Sequence, residues 1–345
     1  MEQPQFTFSE DFQLEQGGIL PGFNLQYSTL GSLNASRDNV VWVCHALTAN
    51  SDFSDWWSGL IERQFDPRHY FVICVNMLGG CYGSTGPLSQ NPATGRPYYA
   101  EFPLLTNRDI VRSFDLLRVH MGITGIHTLI GGSMGGQQAL EWSIVNPGIV
   151  RNLVIVASNA VHSPWGVAFN ETQRMAIETD PSWGEPHDQA GMVGMKAARA
   201  AALLSYRSYQ SYLGTQSEDG HHIVDQFKAS SYQQYQGEKL YKRFNAYTYW
   251  YLSKAMDSHN LGRNRDSLTN ALNIIEANTK IIGIRSDILF PLSEQRFLAM
   301  HIRRSEYHEI DSHYGHDGFL LELEQLSSIL NGLNTEDSKP LSANG

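Results

Sequence analysis

Three features of the chain predict an α/β fold: a mostly parallel sheet with helices on both faces and a helical insertion. Continuously apolar runs at 39–44, 70–76, 126–130 and 152–157 read as strands buried on both faces, as a covered parallel sheet requires. Helix-forming segments alternate with those runs. Between the third run and the helix after it stands Gly131-Gly132-Ser133-Met134-Gly135-Gly136, a G-x-S-x-G turn joining strand directly to helix.

Taken in order, residues 1–38 hold hairpin-like material, with Gly17-Gly18 and Pro21-Gly22 as turn signals. The run 39–44 ends in His45-Ala46-Leu47-Thr48, and residues 55–64 are suited to a short helix before the strand at 70–76. A loop rich in Gly, Pro, Ser and Thr follows from 78 to about 106. A loop of that length in a compact domain is usually functional or disordered, and its aromatics and prolines argue for an ordered loop packed near a site. A helix over 107–120 leads to the strand–serine–helix unit, which stops near Pro147. From 161 to 275 apolar strands vanish and Ala-rich and Tyr-rich helical segments take over, including 192–209 and 232–255. This stretch is expected to form a helical lid, set into a core made of 1–160 and 276–333. The core resumes with a strand at 280–287, a helix at 293–301, a strand at 305–310 and a final helix over 318–330. The polar segment 334–345 is expected to be a disordered tail.

Composition narrows the partners. The 345-residue chain is 41% hydrophobic and 17% charged, an ordinary globular balance. Its formal net charge of −10 leaves no electrostatic footprint for nucleic acid or an anionic membrane. No apolar run approaches the ~18 residues of a membrane span, and the polar start has no signal-peptide pattern. The three cysteines, Cys44, Cys74 and Cys81, read as reduced thiols, and a cytoplasmic location is expected. No metal site and no bound cofactor is expected.

The chemistry centres on Ser133. A strand can turn abruptly into a helix only where side chains are missing, and the serine of such an elbow is strained and lifted clear of the sheet. A serine hydroxyl needs an adjacent base, itself oriented by a third group. On this scaffold the chain order is serine, acid, histidine. Asp287, at the carboxyl end of an apolar strand, is the candidate acid. Of the late histidines, His301 falls in a helix and His308 in a strand, both badly placed to reach a serine above the sheet. His313 and His316 share the loop after the last strand. His316 is preferred because it immediately precedes the final helix and Gly315 frees its backbone. Two N–H donors are needed for the oxyanion of acyl transfer. Met134 follows the nucleophile, and Leu47, in the loop after the first parallel strand, is the candidate for the second.

Several blocks carry a family resemblance. They are His45-Ala46-Leu47-Thr48, the run from Asn76-Met77-Leu78-Gly79-Gly80-Cys81 through Tyr82-Gly83-Ser84-Thr85-Gly86-Pro87, and the elbow with Ala139-Leu140-Glu141-Trp142. Ser286-Asp287-Ile288-Leu289-Phe290-Pro291 and Gly315-His316-Asp317-Gly318-Phe319-Leu320 complete the set. With these, residues 20–330 resemble the homoserine O-acetyltransferases of the α/β-hydrolase superfamily. The resemblance implies a ping-pong reaction in methionine biosynthesis. Ser133 would take acetyl from acetyl-CoA, a substrate rather than a bound cofactor, and pass it to the hydroxyl of L-homoserine. It also implies Arg199 and Tyr206 as partners of the acceptor's carboxylate, Asp317 as partner of its ammonium, and a homodimer formed through the lid. Arg199 and Tyr206 are seven residues apart, so at ~100° per residue they share one helix face, ~10 Å apart along the axis. The alternatives are an intramolecular salt bridge for Arg199 and an N-cap role for Asp317. Tyr82 departs from the family pattern, standing where relatives often carry a basic residue. Rival activities on the same scaffold are transfer of succinyl, serine as acceptor, and hydrolysis by an esterase or thioesterase.

Overall fold

The computed structural model describes residues 4–57 and 59–333; the tail expected at 334–345 lies outside them. The chain opens with an antiparallel pair, β1 (Gln5–Gln13) and β2 (Ile19–Leu30), then β3 (Val40–Cys44), short helices α1 (Phe53–Trp56) and α2 (Leu60–Gln64), and β4 (Phe71–Val75). The long loop after β4 is ordered by a small hairpin of β5 (Gln90–Asn91) and β6 (Arg96–Pro97). Then follow α3 (Asn107–His120), β7 (Ile126–Gly132), α4 (Met134–Val145) and β8 (Val150–Val156). Six helices stand between β8 and β9: α5 (Pro164–Glu178), α6 (Met192–Tyr206), α7 (Tyr209–Gln216), α8 (Lys228–Tyr241), α9 (Ala246–Asp257) and α10 (Leu268–Asn273). The chain ends with β9 (Asn278–Ile284), α11 (Leu292–His301), β10 (Ser305–Ile310), a 3₁₀ turn at Gly315–Asp317, α12 (Gly318–Leu321) and α13 (Leu323–Leu330).

Eight strands form one sheet in the order β1-β2-β4-β3-β7-β8-β9-β10. β1, β2 and β4 pair antiparallel in turn, and every pairing from β4 to β10 is parallel. All five residues of β3 and all five of β4 are buried, as expected for strands covered on both faces. The pleat sends alternate residues to opposite faces. Trp42 packs with Phe114 of α3 and Trp142 of α4 on one side, while Val41 and Val43 join Phe53, Trp57 and Leu326 on the other.

Helix boundaries differ from the sequence reading wherever a capping side chain intervenes. The segment 192–209 divides because Ser208 caps α7, its hydroxyl accepting from the Ser211 amide at 3.1 Å. The segment 232–255 divides because Asn245 caps α9, accepting from Thr248 at 2.8 Å. The final helix breaks at Glu322, whose φ −87, ψ 50 is not helical. β9 ends at Ile284, so Asp287 stands in the loop beyond the strand. Among the described residues, no helix is long and apolar enough to cross a membrane.

The crossing of β7, α4 and the end of β3 is as tight as the glycines suggest. A Cβ on Gly135 would lie 2.0 Å from the Cys44 carbonyl oxygen, and one on Gly131 would lie 2.3 Å from the Gly135 oxygen. Both obstacles are backbone, which has nowhere to move. Gly135→Ala should therefore cost at least about 1–3 kcal/mol, as overpacked cores do. Gly214→Ala, in α7 with open space beside it, should instead stabilise by up to about 1 kcal/mol. Thermal melts of the two variants check this; equal melting temperatures would show that the crossing relaxes.

Candidate active site

Ser133 sits between β7 and α4 with φ 56, ψ −127, a conformation costing a non-glycine residue about 1–3 kcal/mol. It occupies the N-cap position, yet its hydroxyl caps nothing. The side chain is turned away from the helix, and His316 Nε2 lies 2.9 Å from its Oγ. His316 Nδ1 is 2.6 Å from Asp287 Oδ2. Asp287 Oδ1 accepts from the amides of Leu289 and Phe290, at 2.8 and 2.9 Å, so both carboxylate oxygens are engaged. With the Nδ1 proton donated to Asp287, Nε2 is left as the acceptor facing the serine. All three residues are buried.

The imidazole is walled by rings. Phe290 stacks on it at 5.0 Å between centroids, with Phe319 at 5.2 Å and Tyr206 at 5.9 Å. Phe319 is wedged where Gly132 leaves room, since a Cβ there would lie 2.7 Å from its ring. His313, the other histidine of the loop, only offers its carbonyl to the Ser208 hydroxyl.

Met134 and Leu47 are brought toward each other by the Gly135–Cys44 contact. Among the described residues, neither of their amides donates to a protein acceptor, which leaves both available to an oxyanion. The loop carrying Leu47 is pinned at both ends. His45 Nε2 accepts from the Met77 amide at 3.2 Å, and burial pushes the His45 imidazole down to about 4, keeping it neutral for that task. Arg243 Nη1 donates to the Thr48 carbonyl at 2.5 Å and to the Tyr82 hydroxyl at 2.8 Å. A guanidinium from the insertion thus meets Tyr82 and the loop carrying Leu47 at one point.

Arg199 and Tyr206 do lie together on α6, the guanidinium 5.3 Å from the phenol ring centroid. Among the described residues Arg199 makes no ion pair with a carboxylate, so the salt-bridge alternative is not realised. Burial pushes the Tyr206 phenol up, which keeps it a neutral hydrogen-bond donor. Asp317 makes no N-cap bond; its Oδ2 lies 2.9 Å from Arg207 Nε instead. Arg207 escapes a helical-face analysis because it follows the last residue of α6 in extended conformation, φ −110, ψ 146. Among the described residues no group of three or more His, Cys, Asp or Glu could hold a metal ion.

A second carboxyl near the triad gives no sequence signal. Glu294 accepts from Asn159 Nδ2 at 2.9 Å, Asn159 Oδ1 accepts from Gln137 at 2.9 Å, and Gln137 accepts from Asn107 at 3.1 Å. This buried chain runs from α11 through α4 to α3. Burial, with a smaller contribution from Asp287, pushes the Glu294 carboxyl up to about 7. The folded protein therefore holds a proton that the unfolded chain releases in the ordinary carboxylate range. Stability from this group is full below that range and is lost as pH rises toward 7. Glu294→Gln should raise the melting temperature at pH 8 by more than at pH 5. A difference that does not change with pH would mean the carboxyl does not titrate there.

A family model for the α/β-hydrolase fold matches residues 39–323. A homoserine O-acetyltransferase from Cyclobacterium marinum is 50% identical over 340 residues, covering 98% of this chain and 97% of its own. The crystal structure of the homoserine O-acetyltransferase from Bacillus anthracis superposes with a TM-score of 0.88 at 25% identity, covering 98% of this chain and 99% of that one. Esterase E22 matches with a TM-score of 0.86 at 21% identity, over 96% of this chain and 99% of that one, a likeness of fold alone.

Proposed function

This chain belongs to the homoserine O-acetyltransferase family of the α/β-hydrolase fold, and from that premise we propose that it moves acetyl from acetyl-CoA to the hydroxyl of L-homoserine through an acetyl-serine intermediate. The observation that carries the reading is one continuous arrangement. The Ser133–His316–Asp287 hydrogen-bond chain is flanked by α6, with Tyr206 against His316 and Arg199 against Tyr206.

In the first half-reaction the Ser133 oxygen attacks the thioester carbonyl as His316 Nε2 takes its proton. The amides of Leu47 and Met134 hold the oxyanion. Collapse breaks the C–S bond, and the imidazolium protonates the departing thiolate of CoA. In the second half the homoserine hydroxyl attacks the acetyl-serine and gives its proton to His316. Collapse then releases O-acetylhomoserine, and the serine oxygen recovers the proton. Asp287 stabilises the imidazolium in both halves.

The fold supports an esterase equally well, so the acceptor groups carry the distinction. Arg199 and Tyr206 offer a charged and a neutral donor to a carboxylate, and Asp317 offers an anion to an ammonium. Water needs none of these. The product is an activated amino acid of the kind methionine biosynthesis consumes, and a cytoplasmic location is part of the same proposal. Val193, Leu204, Tyr209 and Leu213 expose apolar surface on α6 and α7, which supports a homodimer formed through the insertion. Sedimentation should give twice the chain mass, and a monomer would refute the dimer.

CoA release from acetyl-CoA should depend on homoserine and exceed that from succinyl-CoA; release without any amino acid would make the protein a thioesterase. Ser133→Ala should lower turnover by about 10⁶-fold, as in serine triads generally. Arg199→Ala should lower kcat/KM for homoserine by about 10–100-fold, the loss of a charged hydrogen bond. Equal damage to hydrolysis of 4-nitrophenyl acetate, which needs no acceptor, would assign Arg199 to structure instead.

A further inference from the structure

Arg207 has no part in the chemistry above, yet it is held against it from three sides. α6 ends at Tyr206, and the extended backbone of Arg207 turns its side chain off the helix toward the histidine loop. There Nε lies 2.9 Å from Asp317 Oδ2, a charge contact whose N–H does not point along the line to the oxygen. The guanidinium also lies 5.5 Å from the Tyr314 ring centroid. The backbones are clasped as well. The Ser208 hydroxyl donates to the His313 carbonyl, and Gly315, at φ 67, touches residues 206–208 so closely that a Cβ would lie 2.9 Å from the Ser208 nitrogen. Arg207 and Asp317 are therefore kept in register by main chain rather than by their own flexible side chains.

Among the described residues Asp317 Oδ1 has no hydrogen-bond partner, so one oxygen meets Arg207 and the other is free. The charged and titratable groups around this carboxyl are Arg199 on α6, Arg207 just past it, Tyr206 and Tyr212 on α6 and α7, His316 beside it, and Asp287 after β9. Only two of these are permanent cations. In the reading given above, Arg199 is occupied by the acceptor's carboxylate, which leaves Arg207 alone to offset the burial of Asp317.

We propose that Arg207 is a positioning residue for the acceptor half-reaction, fixing Asp317 as a carboxylate whose free oxygen meets the acceptor's ammonium. The site thereby selects zwitterionic alcohols over uncharged ones. This rests on Asp317 being the ammonium partner. Burial pushes the Asp317 carboxyl above its ordinary range, with Arg207 the largest opposing influence. Loss of Arg207 should therefore favour the protonated acid, which cannot pair with an ammonium.

The test compares Arg207→Gln, Arg207→Lys and Asp317→Asn in the full chain. Arg207→Gln should lower kcat/KM for homoserine by about 10–100-fold at neutral pH and move the acid limb of its pH profile upward. Acylation by 4-nitrophenyl acetate should stay within about twofold, and transfer to 1-propanol should be spared. Arg207→Lys, which restores charge without the fork geometry, should return the limb toward its original position; should the Gln variant fail to fold, this limb and the acylation rate still decide. Equal loss in acylation, or a Lys variant no better than Gln with an unmoved limb, would reduce Arg207 to a structural clasp. If Asp317→Asn lowers homoserine use and Arg207→Gln does not, this inference alone fails. If Asp317→Asn leaves homoserine use intact, the ammonium reading fails and takes the inference with it.

Discussion

The site depends on a backbone contact that tolerates no side chain. Gly131, Gly135 and the carbonyl of Cys44 meet at separations a single methyl would violate. That contact lets β7 run straight into α4, forces Ser133 to positive φ, and brings the loop after β3 against the helix start. Ser133 and the proposed oxyanion donors, Leu47 and Met134, are thus set by one packing event. The strain at Ser133, about 1–3 kcal/mol, persists because the surrounding core is rigid. Trp42, Phe114 and Trp142 pack together where β3, α3 and α4 meet, and Ser158 donates to the Ser133 carbonyl at 2.8 Å. Strain of this kind survives only where neighbours over-determine the conformation.

The base and acid reach the serine by another route. Asp287 and His316 stand on loops, where position is ordinarily loose. Here each loop is fixed locally. Asp287 closes a turn over its own next residues by accepting two amides, and Ser286 donates to the Ser312 carbonyl at 2.7 Å, joining the acid loop to the histidine loop. Phe290 and Phe319 then hold the imidazole plane. The same histidine loop is clasped to the end of α6. The groups proposed to bind the acceptor and the histidine base therefore share a mechanical frame, although α6 comes from the insertion and the histidine loop from the core.

The parts legible in sequence were those fixed by local chemistry. The buried strands appear as apolar runs because both sheet faces are covered, and the elbow appears because its glycines are obligatory. Ser133, Asp287 and His316 follow from chain order on that scaffold, and their hydrogen-bond chain is present. Arg199 and Tyr206 came from the family resemblance, and periodicity put them on one helix face, where they lie together. It could not reveal Arg207, because a residue beyond the helix end obeys no helical period, nor Glu294, whose environment depends on Asn159, far away in sequence in the loop after β8. The helix breaks at Ser208 and Asn245 were missed for a related reason. A lone Ser or Asn in a helical run is common, and only tertiary packing decides which one caps.

A serine, a histidine and an aspartate make an acyl-enzyme; they do not decide what resolves it. In the proposed reading the decision falls to charges placed around the ester. Arg199 and Arg207 then stand against Asp317 and the triad's Asp287, and with His316 neutral these charges sum to zero, so the site carries separated charges without a net charge. A zwitterion adds no net charge and can match each pole, whereas water gains nothing from either. An anion would meet Asp317, and a simple amine would meet Arg199. Buried unpaired charges are costly, so on that reading an acceptor that leaves one pole unmatched is penalised. In that reading the groups that raise affinity for one alcohol are the groups that exclude the others, and transfer prevails over hydrolysis without a change in the triad.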